Sequence, residues 1–262
     1  MTFGLEEVSL LQIGTAFFVL LIGLVFGSFL NVLIARIPKN ENIAFPASHC
    51  PKCNTPLKLY HNIPLFSWLF LRGRCAFCKE KISVQYPIVE LLTGLIFATV
   101  FFKLGLGYMG LVIALSFSFL LALSVIDYYT KMVPDSLNLL ALTTAVIAAT
   151  SLQGFVLNFE NSLLFVGGFA LLRFYLSYLM KKEALGEGDL MVAGTMGAML
   201  GIKLGLVAIF VSALLALPIM LLMRNETDES KMVPYVPFLA LALFIVYIFD
   251  FAFLDYWNSL YG

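Results

Sequence analysis

Long runs without a charged residue are the feature that most limits what this chain can fold into. Such a run can form a membrane-spanning helix if it reaches the ~20 residues needed to cross ~30 Å of hydrocarbon. Five runs are near or above that length, covering residues 8–35, 104–126, 136–159, 204–223 and 232–249. Only 12% of the 262 residues are charged, whereas soluble domains average about 25%. These properties exclude a soluble enzyme, a disordered chain and a disulfide-stapled secreted domain, and they predict a polytopic membrane protein.

Three further stretches bring the predicted number of membrane spans to eight. Residues 82–102 contain only Glu90 as a charge, and residues 161–180 contain only Arg173. The third stretch, 190–202, is uncharged but short and rich in glycine. We interpret it as a crossing, with a re-entrant segment as the alternative. The predicted fold class is therefore an all-α membrane protein, a bundle of about eight transmembrane helices with one small soluble loop.

Lysine and arginine residues lie mostly on one side of these predicted spans. Eight of them fall within residues 36–81. Five more mark later junctions on the same side, at Lys131, Lys181, Lys182, Arg224 and Lys231. The loops on the other side carry only Lys103 and Lys203. Because basic loops stay in the cytoplasm, we expect residues 36–81 to be cytoplasmic and both termini to lie on the other side. The formal net charge of zero implies no bulk attraction to nucleic acid.

All four cysteines lie in this predicted cytoplasmic loop, as two Cys-x-x-Cys pairs 21 residues apart: Cys50, Cys53, Cys75 and Cys78. This spacing is typical of a structural zinc site with four thiolate ligands. Disulfides are the alternative interpretation, but cytoplasmic thiols stay reduced. A thioredoxin-like redox pair is a third, although no βαβ pattern surrounds either motif. His49 and His61 are possible substitute ligands that we expect at the surface. The loop is too short to build its own core, so a zinc ion would take that role.

Five ionisable residues fall within or at the edges of the predicted spans, where burying a charge is costly and often functional. They are Glu90, Asp127, Asp135, Arg173 and Asp189. The alternative interpretation of each aspartate is a purely structural one, as a helix N-cap or a solvated charge, and this interpretation fits Asp135 well. The alternative for Glu90 and Arg173 is that they pair with other polar groups inside the bundle. Two carboxylates brought together at the membrane face suggest aspartyl protease chemistry, in which they share one proton.

Two short motifs carry the aspartates: Asp127 with Pro134-Asp135, and Gly186-Glu187-Gly188-Asp189. They resemble the first and second aspartate motifs of a known family, the type IV prepilin peptidases of the GxGD class of intramembrane aspartyl proteases. The resemblance extends to four further segments: Gly27-Ser28-Phe29-Leu30-Asn31-Val32, Asn62 to Trp68 between the cysteine pairs, Tyr86 to Leu92, and Pro234 to Ala240. It covers nearly the whole chain. Met191 departs from the family, which commonly has lysine at that position.

The resemblance implies a bifunctional enzyme of the bacterial inner membrane, with Asp127 and Asp189 as the catalytic pair and Asp135 in support. It would remove the leader of prepilin or pseudopilin substrates at the cytoplasmic face. It would then N-methylate the new N-terminus with S-adenosylmethionine as methyl donor. The resemblance assigns no residue to cofactor binding, and the candidates we consider are Glu90 and the stretch from Gly27 to Asn31. The implied domains are a first transmembrane helix (1–37), a four-cysteine zinc loop (38–85) and a transmembrane peptidase core (86–262).

Three other functions compete with this prediction. The main alternative is an ion-coupled transporter that uses its buried aspartate and arginine residues as a relay, although the two halves of the chain show no self-similarity. A scaffold that recruits a cytoplasmic partner through the zinc loop would leave the aspartate motifs unexplained. A relative of signal peptide peptidase would share GxGD but would lack the cysteine loop.

Overall fold

The structure, a computed structural model, describes residues 10–181, 186–223 and 233–253, and throughout these ranges the regular elements are helices. Two isolated β-bridges occur in the cysteine loop, His49 with Pro56 and Arg74 with Lys81. The helices are α1 (Leu10–Arg36), α2 (Phe66–Phe70), α3 (Gln85–Leu104), α4 (Tyr108–Thr130), α5 (Asp135–Ile147), α6 (Leu152–Met180), α7 (Glu187–Met223) and α8 (Val236–Ile248). The prediction of an all-α membrane protein is therefore confirmed.

The predicted count of eight spans is not confirmed. Within the described ranges, five helices are long and apolar enough to cross a membrane: α1, α3, α4, α6 and α7. Helices α5 and α8 are apolar but only 13 residues long. The short run 190–202 belongs to α7, which is interrupted at Gly201 by a non-helical backbone with φ 68° and ψ −172°. Glycine tolerates this conformation because it has no Cβ. The basic junctions at Lys182, Arg224 and Lys231 lie outside the described residues.

One predicted boundary is wrong. The charge of Glu160 separates two uncharged runs in the sequence, but in the structure Glu160 lies exposed inside α6. The break falls earlier, between Ile147 and Leu152. There the hydroxyl of Ser151 accepts a hydrogen bond from the Gly154 N–H and caps α6. The side chain of Asn158 donates to the carbonyls of Val146 and Ala148 at the end of α5. Capping therefore sets this boundary, because a single exposed charge does not interrupt a helix.

The chain divides into two compact units, residues 1–114 and 115–262. In the first, α1 packs along α3. Gly23 and Gly27, one turn apart on α1, allow the close approach: a Cβ on Gly27 would stand 2.7 Å from the Cα of Glu90, and one on Gly23 would stand 2.8 Å from the Cα of Gly94. This is the small-residue packing common between membrane helices. It aligns the C-terminal end of α1 with the N-terminal end of α3, so that both ends of the cysteine loop emerge together.

In the second unit, α7 is the central helix and packs against α5, α6 and α8. The ring of Phe117 on α4 makes edge contacts with Phe244 and Tyr247 on α8, at centroid distances of 5.1 and 5.2 Å. The hydroxyl of Ser116 on α4 donates to the carbonyl of Ala141 on α5 at 2.7 Å. These contacts bring the last turn of α4 near the first turns of α5, α7 and α8, where the aspartates lie.

Candidate active site and metal site

Asp127 lies in the last turn of α4 and is 6% exposed. Its Oδ2 atom accepts a hydrogen bond of 3.2 Å from the backbone N–H of Val236, the first residue of α8. The free N–H groups at a helix start carry partial positive charge and favour a negative group beside them. The N-terminus of α8 therefore provides a buried site for the carboxylate of Asp127. The entry to α8 is itself tied down, because the hydroxyls of Tyr235 and Ser212 lie 3.0 Å apart.

Asp189 lies in the first turn of α7 and is 8% exposed. Its Oδ2 atom accepts a hydrogen bond of 3.1 Å from the backbone N–H of Gly186. The carboxylates of Asp127 and Asp189 are close enough for their charges to interact. Of the aspartates that the structure describes, these two are the buried ones. Each thus has the same environment: burial, one backbone donor and a neighbouring acid.

The glycine of the second motif explains how the two segments meet. A Cβ on Gly188 would lie 2.5 Å from the Cβ of Val133, which belongs to the connection between α4 and α5. The carbonyl of Gly188 accepts a hydrogen bond of 2.9 Å from the side-chain amide of Asn138, which is fully buried on α5. Without a side chain at position 188, the start of α7 rests directly on the segment that follows Asp127. The glycine therefore serves close packing.

The other two charged residues noted near this site have different positions. Asp135 is exposed and is the first residue of α5, preceded by Pro134 at the N-cap position. Of the two alternatives for Asp135, the N-cap is off by one residue, since the helix begins at the aspartate, whereas the solvated charge agrees with its exposed side chain. Arg173 forms an ion pair with Glu187 at 3.1 Å. Arg173 thus contacts the glutamate of the second motif, and this ion pair involves neither Asp127 nor Asp189.

The four cysteines form one cluster in the loop between α1 and α3. Their Sγ atoms lie within 4.8 Å of one another, and those of Cys50 and Cys78 are 3.8 Å apart. A tetrahedral zinc ion with Zn–S bonds of about 2.3 Å requires sulfur atoms about 3.8 Å apart. The donor set and its spacing therefore fit zinc, and the cysteines are not joined as disulfides. Within the described ranges, this is the group of potential ligands close enough to hold a metal ion.

Two equivalent turns build this cluster. The N–H of Cys50 donates to the carbonyl of Thr55, and the N–H of Cys75 donates to the carbonyl of Glu80. Each turn also has a residue with positive φ just after its second cysteine, Asn54 at 53° and Lys79 at 61°. Hydrogen bonds from the Thr55 hydroxyl and then from its N–H lower the pKa of the Cys53 thiol to about 6. This favours the thiolate that a metal ion requires.

The two histidines lie outside the cysteine cluster. His49 is exposed as expected, with its Nδ1 atom 3.1 Å from the carbonyl of Ala47. His61 is half-buried, in edge contact with the rings of Tyr60 and Phe77. The surface position expected for His61 is therefore only partly correct, because aromatic contacts cover its ring.

Comparison with known proteins connects both sites to one family. Residues 21–104, which contain the cysteine cluster, match the model of the bacterial peptidase A24 N-terminal domain. Residues 113–221, which contain Asp127 and Asp189, match the model of the type IV leader peptidase family. A prepilin leader peptidase/N-methyltransferase from Neisseria gonorrhoeae is 35% identical over 231 residues, 78% of this chain and 80% of the relative. The chain belongs to the type IV leader peptidase family.

Further members of this family are similar over most of their length. The prepilin leader peptidase/N-methyltransferase of Pectobacterium carotovorum subsp. carotovorum is 36% identical over 84% of this chain and 88% of its own. That of Aeromonas hydrophila is 34% identical over 86% of this chain and 87% of its own. No solved structure matches the chain significantly.

The residues considered for S-adenosylmethionine binding, Glu90 and the stretch from Gly27 to Asn31, instead make contacts that pack the helices and position the loop. The backbone of α3 fills the space beside Gly27. Asn31 is 3% exposed and donates to the carbonyl of Tyr86 at 3.0 Å, while its Oδ1 atom has no hydrogen-bond partner. Glu90 is 8% exposed and accepts from the N–H of Leu65 at 2.8 Å. These residues join the helices and the loop and do not form an open cradle for S-adenosylmethionine.

Two features of the aspartate site were missed in the sequence. The N–H of Val236 that binds Asp127 is a backbone group with no side-chain signature, although the segment from Pro234 to Ala240 was already part of the resemblance. The second missed residue is Asn138, whose side-chain amide holds the start of α7 through the carbonyl of Gly188. An amide at a helical position three residues into an apolar span was the available signal, because a buried polar side chain needs a partner.

Proposed function

We propose that this chain is an aspartic endopeptidase that removes the leader peptide of type IV prepilin-like proteins, with Asp127 and Asp189 as its catalytic pair. The observation that carries the proposal is the pair of buried, mutually interacting carboxylates, each held by a backbone N–H at a helix start. The names of the similar proteins support the substrate class. Membership of a protease family disfavours the alternative of an ion-coupled transporter.

The chemistry follows from two neighbouring acids that share one proton. The ionised carboxylate removes a proton from a water molecule, whose oxygen attacks the scissile carbonyl carbon. The protonated carboxyl donates to the carbonyl oxygen as charge develops there. Collapse of the tetrahedral intermediate breaks the C–N bond, and the amine of the mature protein leaves with a proton from the pair. The backbone donors at Gly186 and Val236 keep both carboxylates in position during these transfers.

We propose that the cleaved product is then N-methylated, with S-adenosylmethionine supplying the methyl group. This proposal rests on the names of the relatives, each a prepilin leader peptidase/N-methyltransferase. We further propose that the four cysteines hold a structural zinc ion, because four thiolates leave no open coordination position for catalysis. This metal would lie in the second of the three domains proposed from the sequence, which are a first transmembrane helix (1–37), the zinc loop (38–85) and the peptidase core (86–262).

We propose that the loop and the aspartates face the cytoplasm from the bacterial inner membrane. The concentration of basic residues in the loop supports this orientation. It is tested by adding trypsin to spheroplasts and to inverted vesicles. Cleavage within residues 52–81 is expected only in inverted vesicles. Cleavage from the periplasmic side of intact spheroplasts would contradict the orientation.

The experiment that tests the proposed function is incubation of the purified protein in detergent with a prepilin, followed by mass spectrometry. We expect loss of the leader without S-adenosylmethionine, and loss of the leader with the mass of one added methyl group in its presence. The Asp189→Asn variant serves as control and should give neither product. An intact prepilin with the unaltered protein would overturn the peptidase, whereas a cleaved and unmodified product would overturn only the methylation.

A further inference from the structure

We propose that α2 lies in the membrane–water interface, with the side chains of Phe66, Leu69 and Phe70 inserted into lipid and the neighbouring basic residues bound to anionic headgroups. The occupant of this apolar face is thus the surface of the bilayer in which the protein is embedded. The proposal concerns the loop alone and does not depend on the peptidase activity.

The first argument is the composition of the two faces of α2. Phe66, Leu69 and Phe70 are 51%, 68% and 83% exposed, and their i, i+3, i+4 spacing places them on one side of the helix. Trp68 faces the other way: its ring packs on Gly73 and its indole N–H donates to the carbonyl of Ile82 at 3.3 Å. The helix therefore has an inward side fixed by the protein and an outward side with two aromatic rings and a leucine.

The second argument is the height of α2 relative to the membrane. The N–H of Leu65, just before α2, donates to Glu90, which lies five residues into the candidate membrane span α3. At 1.5 Å per residue, Glu90 is about 7.5 Å beyond the first residue of α3 along the helix axis. The bond of Trp68 to Ile82 holds α2 beside the start of the same span. The loop thus folds back, and α2 lies level with the first turns of α3, which is the depth of the interface.

The third argument is charge. Residues 36–81 contain eight lysines and arginines but only two acidic residues, Glu41 and Glu80. Lys58 precedes α2, and Arg72 and Arg74 follow it directly; all three are exposed. Exposed aromatic and leucine side chains flanked by basic residues are typical of helices that lie in an interface, where the apolar face enters about 5–10 Å and anionic lipid attracts the cations. The chemistry of this surface therefore complements an anionic bilayer.

The test uses tryptophan fluorescence in nanodiscs that contain phosphatidylcholine brominated near the top of the acyl chain. The chain has two tryptophans, so the Trp257→Phe variant leaves Trp68 as the single reporter on the inward side of α2. Adding Leu69→Trp places a second reporter on the outward side, one residue away. Adding Lys52→Trp instead places it beside the cysteine cluster, as a matched control within the same loop.

We expect brominated lipid to remove at least about half of the added emission of Leu69→Trp, because its ring would lie among the upper acyl groups. The emission from Trp68 and from Lys52→Trp should be quenched much less. Red-shifted and unquenched emission from Leu69→Trp would mean that the face is in water and would overturn the proposal. Blue-shifted but unquenched emission would mean that protein covers it, from a second copy or another segment, and would overturn it as well.

The headgroup contacts are tested separately. Replacing part of the lipid with phosphatidylglycerol should increase the quenching of Leu69→Trp. The added Arg72→Gln and Arg74→Gln substitutions should remove that increase. Equal quenching in neutral and anionic nanodiscs would overturn the role of the basic residues. Far-UV circular dichroism and zinc content distinguish a loop that has lost lipid contact from one that has unfolded.

Discussion

The cysteine cluster and the aspartate site are both built from pairs of short motifs, but the motifs are joined by different means. The four cysteines fall within 29 residues, and each pair is shaped by hydrogen bonds inside its own turn. The aspartates depend on distant contacts: Val236 is 109 residues from Asp127, and Asn138 is 50 residues from Gly188. A cluster of the first kind needs only local geometry and a metal ion. A site of the second kind requires that several helices pack correctly.

This difference predicts how each region responds to change. Substitution of one cysteine should disturb only the loop, since α3 and its partner α1 pack through their own glycines. Substitution of a packing residue near the aspartates should lower the activity even when neither carboxylate is altered. The following predictions test this comparison, beginning with the largest expected effect.

Replacing either aspartate should abolish cleavage. In Asp127→Asn and Asp189→Asn the amide neither accepts the proton of water nor shares one with its neighbour, so we expect the rate to fall at least about a thousandfold. The double variant should be no slower than either single one, because the two residues act as a unit. Prepilin cleavage by the purified variants gives the rates, and zinc content shows that the loop is intact. Cleavage by Asp189→Asn at the rate of the unaltered protein would show that the pair is wrongly assigned.

The sequence predicted the cysteine cluster more completely than the aspartate site, because the first depends on local turns and the second on contacts between distant helices. The Cys-x-x-Cys spacing predicted a four-cysteine cluster, because the turn that brings two sulfurs together is encoded within six residues. The motifs indicated Asp127 and Asp189, but the bond from Val236 and the contact of Gly188 with Val133 arise from helix packing, which no local pattern encodes. The helix boundary predicted near Glu160 was wrong for the same reason, since Asn158 donates to the carbonyl of Ala148, ten residues earlier and just after the end of α5.

Gly188→Ala should have the next largest effect. Its Cβ would lie 2.5 Å from the Cβ of Val133, so the start of α7 must shift and carry Asp189 with it. Overpacking of this kind costs about 1–3 kcal/mol, and we expect cleavage to fall by roughly ten- to a hundredfold if that energy is lost from the site.

The matched control for this change is Gly168→Ala on α6. A Cβ there meets nothing within 4 Å, so this variant should be as active as the unaltered protein and at least as stable, because alanine favours a helix interior over glycine. Thermal unfolding in detergent and the cleavage rate are measured for both variants. Equal activity of the two would show that close packing at position 188 does not position the carboxylate.

Loss of the metal should affect the loop more than the chemistry. We expect about one zinc per chain, and Cys50→Ser or Cys75→Ser should release it. Protease should then digest residues 39–85 faster than in the zinc-bound protein, while prepilin cleavage falls less than in the aspartate variants. His49→Ala is the control and should keep the zinc, because His49 is exposed and outside the cluster. Metal analysis and limited proteolysis measure these outcomes, and four freely reactive thiols in the native protein would contradict the zinc site.

The smallest effect is expected from Asp135→Asn. This variant tests whether Asp135, which belongs to the same sequence motif as Asp127, also belongs to the catalytic site. Asp135 is exposed at the start of α5 and is eight residues from Asp127. Its carboxylate benefits only from the partial charge at the helix start, worth about 0.3–1 kcal/mol, so cleavage should stay within about fivefold of the unaltered rate. Raising the ionic strength should shrink the difference further, because an exposed charge is screened. If Asp135→Asn is as inactive as Asp127→Asn, an exposed acid is taking part in the chemistry, and burial is then the wrong criterion for choosing the catalytic pair.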